Sequence, residues 1–204
     1  MHHRHGFLHN PMKILPIYTY GFDILRKRTR KITKVDDKLI ELISNMFFTM
    51  HKAHGIGLAA PQVGLDIALT VIDLSKVEED KKIKHLPLTL INPVVKDSHG
   101  EIIMEEGCLC IPYIRCEIKR PETVFIEYQD IDLNKKHVEL KELIGRVVQH
   151  EIDHLNGILF TDHLQKEEKR KITDELYKIK KGEIETDYML AEIPRKKSKT
   201  HYKP

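Results

Sequence analysis

The feature that most constrains this chain is a His-Glu-x-x-His motif at residues 150–154. Residues four positions apart in a helix lie one turn above each other, so His150 and His154 can bind the same metal ion. Glu151 points about 100° away from His150 and can reach a water molecule without binding the metal itself. The motif therefore predicts a helix that carries a site for metal-assisted hydrolysis.

The residues around the motif predict that this helix is buried. We expect it over 141–156, with Asn156-Gly157 as a stop signal. One face carries both histidines, and an apolar stripe adjoins it; together they comprise Leu143, Ile144, Val147, Val148, His150, Ile152, His154 and Leu155. The alternative is a solvated helix with two accidental histidines. Buried imidazoles, however, need polar partners, and a metal ion supplies them.

The length of 204 residues indicates one domain with tails. We predict an N-terminal extension over 1–11, with Met12 as an alternative start, a folded domain over 12–184 and a basic, disordered tail over 185–204. The net charge is +3, and the chain from Pro194 onward holds five basic side chains and no acidic one. The tail is usually just solvated, but contact with nucleic-acid phosphates is an alternative reading. No apolar run is long enough for a membrane span, and no signal peptide is evident.

Three cysteines lie within nine residues, at 108, 110 and 116. An odd, clustered set is typical of a reducing compartment rather than of a disulfide framework, and it favours a cytoplasmic location, with an organelle as the open alternative. A catalytic site needs a third protein ligand besides the two histidines, and Cys108 is the candidate, because Gly107 lets the backbone approach a metal. A small buried thiol without function is an equally good reading of Cys108.

A closed structural site of Cys108, Cys110, His150 and His154 is a rival that would make the protein a metal-stapled binding module. On a strand, the two cysteines would point the same way but lie about 6.6–7 Å apart. That separation is too large for two thiolates on one ion, and Glu151 would have no role. We therefore rank the open site above the closed one.

The remaining pattern predicts α+β architecture. Residues 35–54 and 166–181 have helical periodicity, and a glycine-punctuated loop fills 55–64. Strand patterns occur at 67–73, 88–95, 101–104, 123–129 and 136–140, and 75–84 is a charged connection. Strands mostly follow strands, which favours a mixed or antiparallel sheet.

Three segments together resemble the signature motifs of the peptide deformylase family: Gly55-Ile56-Gly57-Leu58-Ala59-Ala60-Pro61-Gln62, Glu106-Gly107-Cys108-Leu109 and Gln149-His150-Glu151-Ile152-Asp153-His154. They occur in the family's order and at similar separations. The resemblance covers roughly residues 12–181. It implies an α+β fold with mixed or antiparallel strands around the central helix that bears the motif.

The same resemblance implies an enzyme that removes the N-formyl group from the initiator methionine of new polypeptides and releases formate. The implied metal ligands are Cys108, His150 and His154, and the implied catalytic groups are Glu151 as general acid/base with Gln62 and the Leu109 N–H at the oxyanion. The implied substrate-binding residues are Ile56, Gly57, Met104, Glu106, Gly107, Arg115, Leu143 and Val147. The implied cofactor is one divalent ion, Fe²⁺ in cells, with Zn²⁺, Ni²⁺ or Co²⁺ as substitutes. The implied partners are formyl-methionine N-termini, with the ribosome surface as a candidate for the basic tail and no membrane.

Two positions depart from the family pattern: Cys110 stands where serine is common, and Met104 where isoleucine is common. A metallopeptidase is the other enzyme class with the same helix motif. An extended metzincin motif would place a ligating histidine six residues after His154, where this chain has Phe160. Formate release against internal peptide cleavage separates the two enzymes, and neither activity would favour the binding module.

Overall fold

The computed structural model describes residues 11–75 and 87–193. Its helices are α1 (Asp37–Lys52), α2 (Glu142–Leu155), α3 (Lys166–Lys171) and α4 (Thr173–Lys181). Its strands are β1 (Gly57–Ala59), β2 (Leu69–Ile72), β3 (Leu88–His99), β4 (Ile102–Cys108), β5 (Ile111–Arg120), β6 (Thr123–Gln129) and β7 (Lys135–Lys141). Five strands form an antiparallel sheet in the order β1-β2-β3-β6-β7, and β4 pairs with β5 in a separate hairpin. The α+β prediction is confirmed.

Helix α2 is buried along most of its length, as its two flanks predicted. Its apolar side chains pack against β2, β3, β6 and β7 in one core cluster that includes Ile72, Leu90, Val124, Ile126, Leu140, Ile144, Val147, Val148 and Ile152. The chain leaves the helix at Gly157, whose φ of +75° suits glycine. A Cβ at that position would also collide with the carbonyl of Arg26. The burial fixes the position of the two histidines relative to the sheet.

Helix α1 begins with a side-chain cap, because Asp36 accepts a hydrogen bond from the Leu39 N–H at 3.1 Å. Its buried face carries two polar groups that bind the N-terminal segment. The Asn45 side chain accepts the Lys13 N–H at 2.8 Å, and the Thr49 hydroxyl accepts the Leu15 N–H at 2.9 Å. The helix therefore orders the start of the described chain as well as packing on the sheet.

The β4–β5 hairpin corrects the strand-spacing argument about the cysteines. The predicted strand at 101–104 continues to Cys108, and a tight turn then leads at once into β5, which the sequence patterns missed. Cys108 pairs with Ile111 across this turn, so Cys110 is not two positions further along a strand. The two Sγ atoms lie 3.1 Å apart instead of the expected 6.6–7 Å. Spacing therefore does not exclude Cys110 from a metal site.

The C-terminal part also differs from its sequence prediction. The helix expected over 166–181 is two helices, which meet at Ile172 with φ −108° and ψ 6°. Beyond residue 184, where we predicted the tail to begin, the chain still packs on the domain: Leu190 forms a parallel bridge with Ile17. The rest of the predicted tail, from 194, lies outside the described residues. So do 1–10 of the predicted extension and nearly all of the 75–84 connection.

Within the described ranges, no helix is long and apolar enough to cross a membrane.

Candidate metal centre

A cavity of about 600 Å³ opens between three segments of the fold. Its walls are mainly the loop that leads into β1, the tip of the β4–β5 hairpin and the face of α2 that carries Val147, His150 and Glu151. The residues predicted for the site that line it are Ile56, Gly57, Gln62, Glu106, Gly107, Cys108, Leu109, Arg115, Leu143, Val147, His150 and Glu151. Met104 is the one predicted pocket residue that is not part of this wall; it lies on β4 opposite Ile118. The three sequence motifs thus meet at one place.

The predicted metal ligands come together at the base of the cavity. Cys108 Sγ lies 3.3 Å from His154 Nε2, and the rings of His150 and His154 meet edge to face with their centroids 4.9 Å apart. The ligand atoms of Cys108, Cys110 and His154 all lie within 4.8 Å of one another. Thiolate and imidazole groups suit Zn²⁺ and Fe²⁺ alike. The donor set therefore fits one divalent ion, with Cys110 as an additional thiol nearby.

The pKa values of the two cysteines at the hairpin turn are shifted in opposite directions. Burial opposes ionisation of Cys108, but the hydrogen bond from Cys110 and the positive field of His154 hold its pKa well below the usual value. Burial and the neighbouring Cys108 raise the pKa of Cys110 well above the usual value. Cys110 is packed in a core cluster with Ile111 and Phe160 and does not line the cavity. Cys108 is therefore the thiolate of the pair, and Cys110 donates its S–H to it.

Glu106 is the centre of a buried charge network behind the histidines. Its carboxylate accepts hydrogen bonds from Arg120 Nε at 2.6 Å, Arg146 Nη1 at 2.7 Å and His150 Nδ1 at 2.9 Å. Because Nδ1 of His150 is occupied, its Nε2 is left to bind a metal. Burial would raise the pKa of Glu106, but its bonds to His150 and Arg120 lower it far below the usual value.

The contacts of Glu106 differ in one respect from the substrate-binding role expected for it. Glu106 lines the cavity, but its carboxylate is engaged by protein groups, so it orients His150 rather than offering a free group to substrate. Sequence reasoning missed Arg120 and Arg146 altogether. The only signal for Arg146 was an arginine among apolar residues inside α2. Arg120, between Lys119 and Pro121 at the end of β5, gave no such signal.

Glu151 is placed to exchange protons inside the cavity. The residue is 3% exposed, and burial raises the pKa of its carboxyl to about 7. Its buried Oε2 has no hydrogen-bond partner among the residues that the structure describes. The carboxylate also explains Gly57, since a Cβ there would collide with Glu151 Oε1. A buried polar atom without a partner, beside three metal-binding groups, is what a metal-bound water would satisfy.

Gln62 lies beside the thiolate, on the short 3-10 helix that follows β1. Its Oε1 accepts the Ala59 N–H at 2.7 Å, which turns Nε2 toward Cys108 Sγ at 3.4 Å. The side chain is therefore fixed at both ends, with its donor group facing the metal ligands. Arg115 lies at the cavity rim and pairs with Glu105 at 2.6 Å.

Three comparisons with known proteins agree on one family. The family model described as polypeptide deformylase matches residues 14–170. A peptide deformylase from Chlorobaculum tepidum is 43% identical over 178 residues, which cover 87% of this chain and 94% of that protein. Two solved peptide deformylase structures are also similar. The one from Legionella pneumophila has a TM-score of 0.74 and 36% identity, and the match covers 84% of this chain and 98% of the Legionella chain. The one from Synechococcus elongatus, in complex with actinonin, has a TM-score of 0.72 and 36% identity, and the match covers 80% of this chain and 86% of the Synechococcus chain.

Proposed function

This chain belongs to the peptide deformylase family of metallohydrolases, which remove the N-formyl group from nascent polypeptides, and we propose that it does so with Glu151 as general acid/base. One observation carries the proposal. The buried, unpartnered Oε2 of Glu151 lies in the same cavity as the thiolate of Cys108 and the ring of His150. His154 completes the ligand set at 3.3 Å from Cys108 Sγ.

The proton transfers follow from the setting of Glu151. Cys108, His150 and His154 would hold a divalent ion, which would supply an activated water by lowering its pKa from 15.7 to about 7. Glu151 accepts the proton that the attacking water gives up at the formyl carbon. It then donates that proton to the amine that leaves as the C–N bond breaks. A carboxyl with a pKa near 7 is suited to both steps at neutral pH.

We propose that Gln62 and the backbone N–H of Leu109 stabilise the negative charge on the formyl oxygen. Gln62 Nε2 is already oriented toward Cys108 Sγ by the bond of Oε1 to Ala59. Leu109 directly follows Cys108 at the hairpin tip and lines the cavity. One oxyanion donor of this kind is worth roughly 3–4 kcal/mol of transition-state stabilisation.

The substrate's first side chain is proposed to enter between the β1 loop and α2. Ile56, Leu143 and Val147 form an apolar wall of the cavity between these two segments. Burying a methionine side chain contributes about 1.5–3 kcal/mol, whereas a charged side chain would lose its hydration without gaining a partner. We expect kcat/KM for formyl-Met tripeptides to exceed that for formyl-Ala tripeptides by roughly tenfold or more, and a flat preference would contradict this pocket assignment.

The rest of the substrate is proposed to run along β1. Within the described chain β1 ends the five-stranded order, so the edge of Gly57 that faces away from β2 has no strand beside it. An extended peptide can add to such an edge through main-chain hydrogen bonds.

The donor set also bears on which metal ion the site holds. The donor set is that of a site for one divalent ion, and we propose Fe²⁺ in cells, with Zn²⁺, Ni²⁺ or Co²⁺ able to replace it. The substrates are formyl-methionine N-termini; ribosome contact through residues 194–204 and a cytoplasmic location stay predictions.

A Glu151→Gln variant tests the proposed role. Glutamine keeps the shape of the side chain but cannot take a proton, so we expect full metal content and a kcat for formate release lowered by roughly 10²–10⁴-fold. Metal content and rate are measured on the same sample, with Glu101→Gln, an exposed carboxylate outside the cavity, as the control. Loss of metal together with rate would mean that Glu151 is a ligand. Cleavage of internal peptide bonds by the unaltered protein would favour the metallopeptidase reading.

A further inference from the structure

The segment that follows α4 crosses the fold and reaches the cavity. Gly182 ends α4 with φ +72°, and the chain then runs through residues 183–193, which we call the C-terminal strap. The strap is fixed to the N-terminal segment by two backbone bonds of 2.9 Å, from the Ile17 N–H to the Met189 carbonyl and from the Ala191 N–H to the Ile17 carbonyl. Nothing in the proton-transfer chemistry uses this segment, yet it is held against the catalytic face.

Tyr188 is the strap residue that lines the cavity. Its hydroxyl donates a hydrogen bond of 2.8 Å to the carbonyl oxygen of Leu109. Burial raises the pKa of the phenol, so the hydroxyl remains a donor throughout the neutral range. The contact joins residues 79 positions apart in the chain.

The bond to Leu109 acts on the turn that carries both a metal ligand and an oxyanion donor. Leu109 lies between Cys108 and Cys110, where the chain reverses from β4 into β5. The next carbonyl of the turn, that of Cys110, accepts the Tyr20 N–H at 2.8 Å. Two adjacent carbonyls are thus held from outside, which fixes the peptide planes on both sides of Cys110. Cys108 is held on the other side of Leu109 by the contacts of its Sγ with Gln62 and His154. The dihedrals of Leu109 are therefore constrained from both sides, and with them the direction of its N–H.

We propose that Tyr188 is a positioning residue, which fixes the hairpin turn so that the Leu109 N–H points at the developing oxyanion. This inference rests on the proposed oxyanion role of Leu109. A donor is effective only when it is already aimed where the charge develops, and a misplacement of about 1 Å can cost up to roughly 10²-fold in rate. Removing the Tyr188 hydroxyl leaves the N–H present but free to turn away.

The test is Tyr188→Phe, which removes one oxygen atom and keeps the ring. Measured on the zinc-loaded enzyme with a formyl-Met tripeptide, kcat should fall by roughly tenfold while KM, zinc content and Tm stay close to those of the unaltered protein. Hydrogen exchange of the Leu109 amide, followed by NMR, should become faster. Asp187→Asn is the matched control on the same strap; this side chain is 71% exposed and should change none of these quantities.

Three other outcomes would contradict the proposal, and so would a lower kcat with unchanged Leu109 exchange, because the loss of rate would then not come from movement of this N–H. Unchanged Leu109 exchange with unchanged kcat overturns the positioning role of Tyr188. Faster Leu109 exchange with unchanged kcat shows that Tyr188 fixes the turn but that Leu109 is not an oxyanion donor, which overturns that part of the proposed function. A fall in Tm or zinc content that accounts for the loss of rate would show that Tyr188 stabilises the fold and does not position the Leu109 N–H.

Discussion

At the scale of single residues, the hairpin turn separates two thiols that sequence spacing could not tell apart. Cys108 lines the cavity and is held as a thiolate, whereas Cys110 is fully buried behind it as a neutral donor. Their Sγ atoms are 3.1 Å apart, so proximity to the metal does not by itself decide which one is a ligand. The two thiols differ in what they face: Cys108 faces the cavity, and Cys110 faces the hydrophobic core.

Matched serine substitutions separate the two roles. Cys108→Ser should lose most of the bound metal, because an alcohol is a far weaker ligand than a thiolate for soft ions. Cys110→Ser should keep metal and activity, since a hydroxyl can also donate to Cys108. Metal per protein after dialysis is the measurement, with Cys116→Ser as the control. Equal metal loss at 108 and 110 would instead support a site that uses both sulfur atoms.

At the scale of secondary-structure elements, the Glu106 network joins β4, β5 and α2. Glu106→Gln removes the negative charge that two buried guanidinium groups and His150 face. Leaving buried charges without their partner costs about 3–5 kcal/mol of unfolding free energy. Glu105→Gln, at an exposed pair with Arg115, should cost no more than about 1 kcal/mol. Urea unfolding at neutral pH compares the two, and equal midpoints would show that the network adds no stability.

The segment after α2 gives an acid-sensitive contact. Asp162 pairs with Arg26 and accepts the Leu159 N–H at 2.9 Å. Burial alone would raise the pKa of Asp162, but these bonds hold it below its usual 3.8. A lowered pKa in the folded state stabilises the fold above pH 3.8, and that contribution disappears as the pH falls through the folded-state value. Asp162→Asn should therefore lower Tm at pH 7, and the difference should shrink toward pH 3. A constant difference in Tm would rule out an electrostatic origin.

Elements with strong local periodicity were predictable, and contacts between distant segments were not. The pattern at 123–129 matches β6 to the residue, and the helix predicted over 141–156 is observed as α2 at Glu142–Leu155. β5 escaped prediction because the turn before it is very tight and holds no glycine between Cys108 and Ile111. Glu106 and Arg146 are 40 positions apart, so no window along the sequence contains their pairing. The three motifs located the site, but its supporting groups emerge only from the tertiary fold.

At the scale of the whole molecule, the strap makes the C-terminal region part of the catalytic domain. Deleting 194–204 should leave Tm and formate release unchanged, because the sequence of this segment has no regular pattern of apolar residues that could pack on the domain. Deleting 183–204 should lower both, because it also removes the bridge to Ile17 and the Tyr188 bond. Thermal unfolding and kcat of the two truncated proteins provide the comparison. Equal behaviour of the two would show that the strap is dispensable.

The proposed pairing of substrate with the edge of β1 would limit how much of a substrate's sequence the enzyme reads. Main-chain pairing at Gly57 would distinguish an extended peptide from other shapes but would not depend on which residues follow the first. Selectivity would then depend on one side chain and one formyl group, both the same at the start of every polypeptide that begins with formyl-methionine. With this mode of binding a single gene product would serve an entire proteome, and the set of proteins could change without any matching change in this cleft.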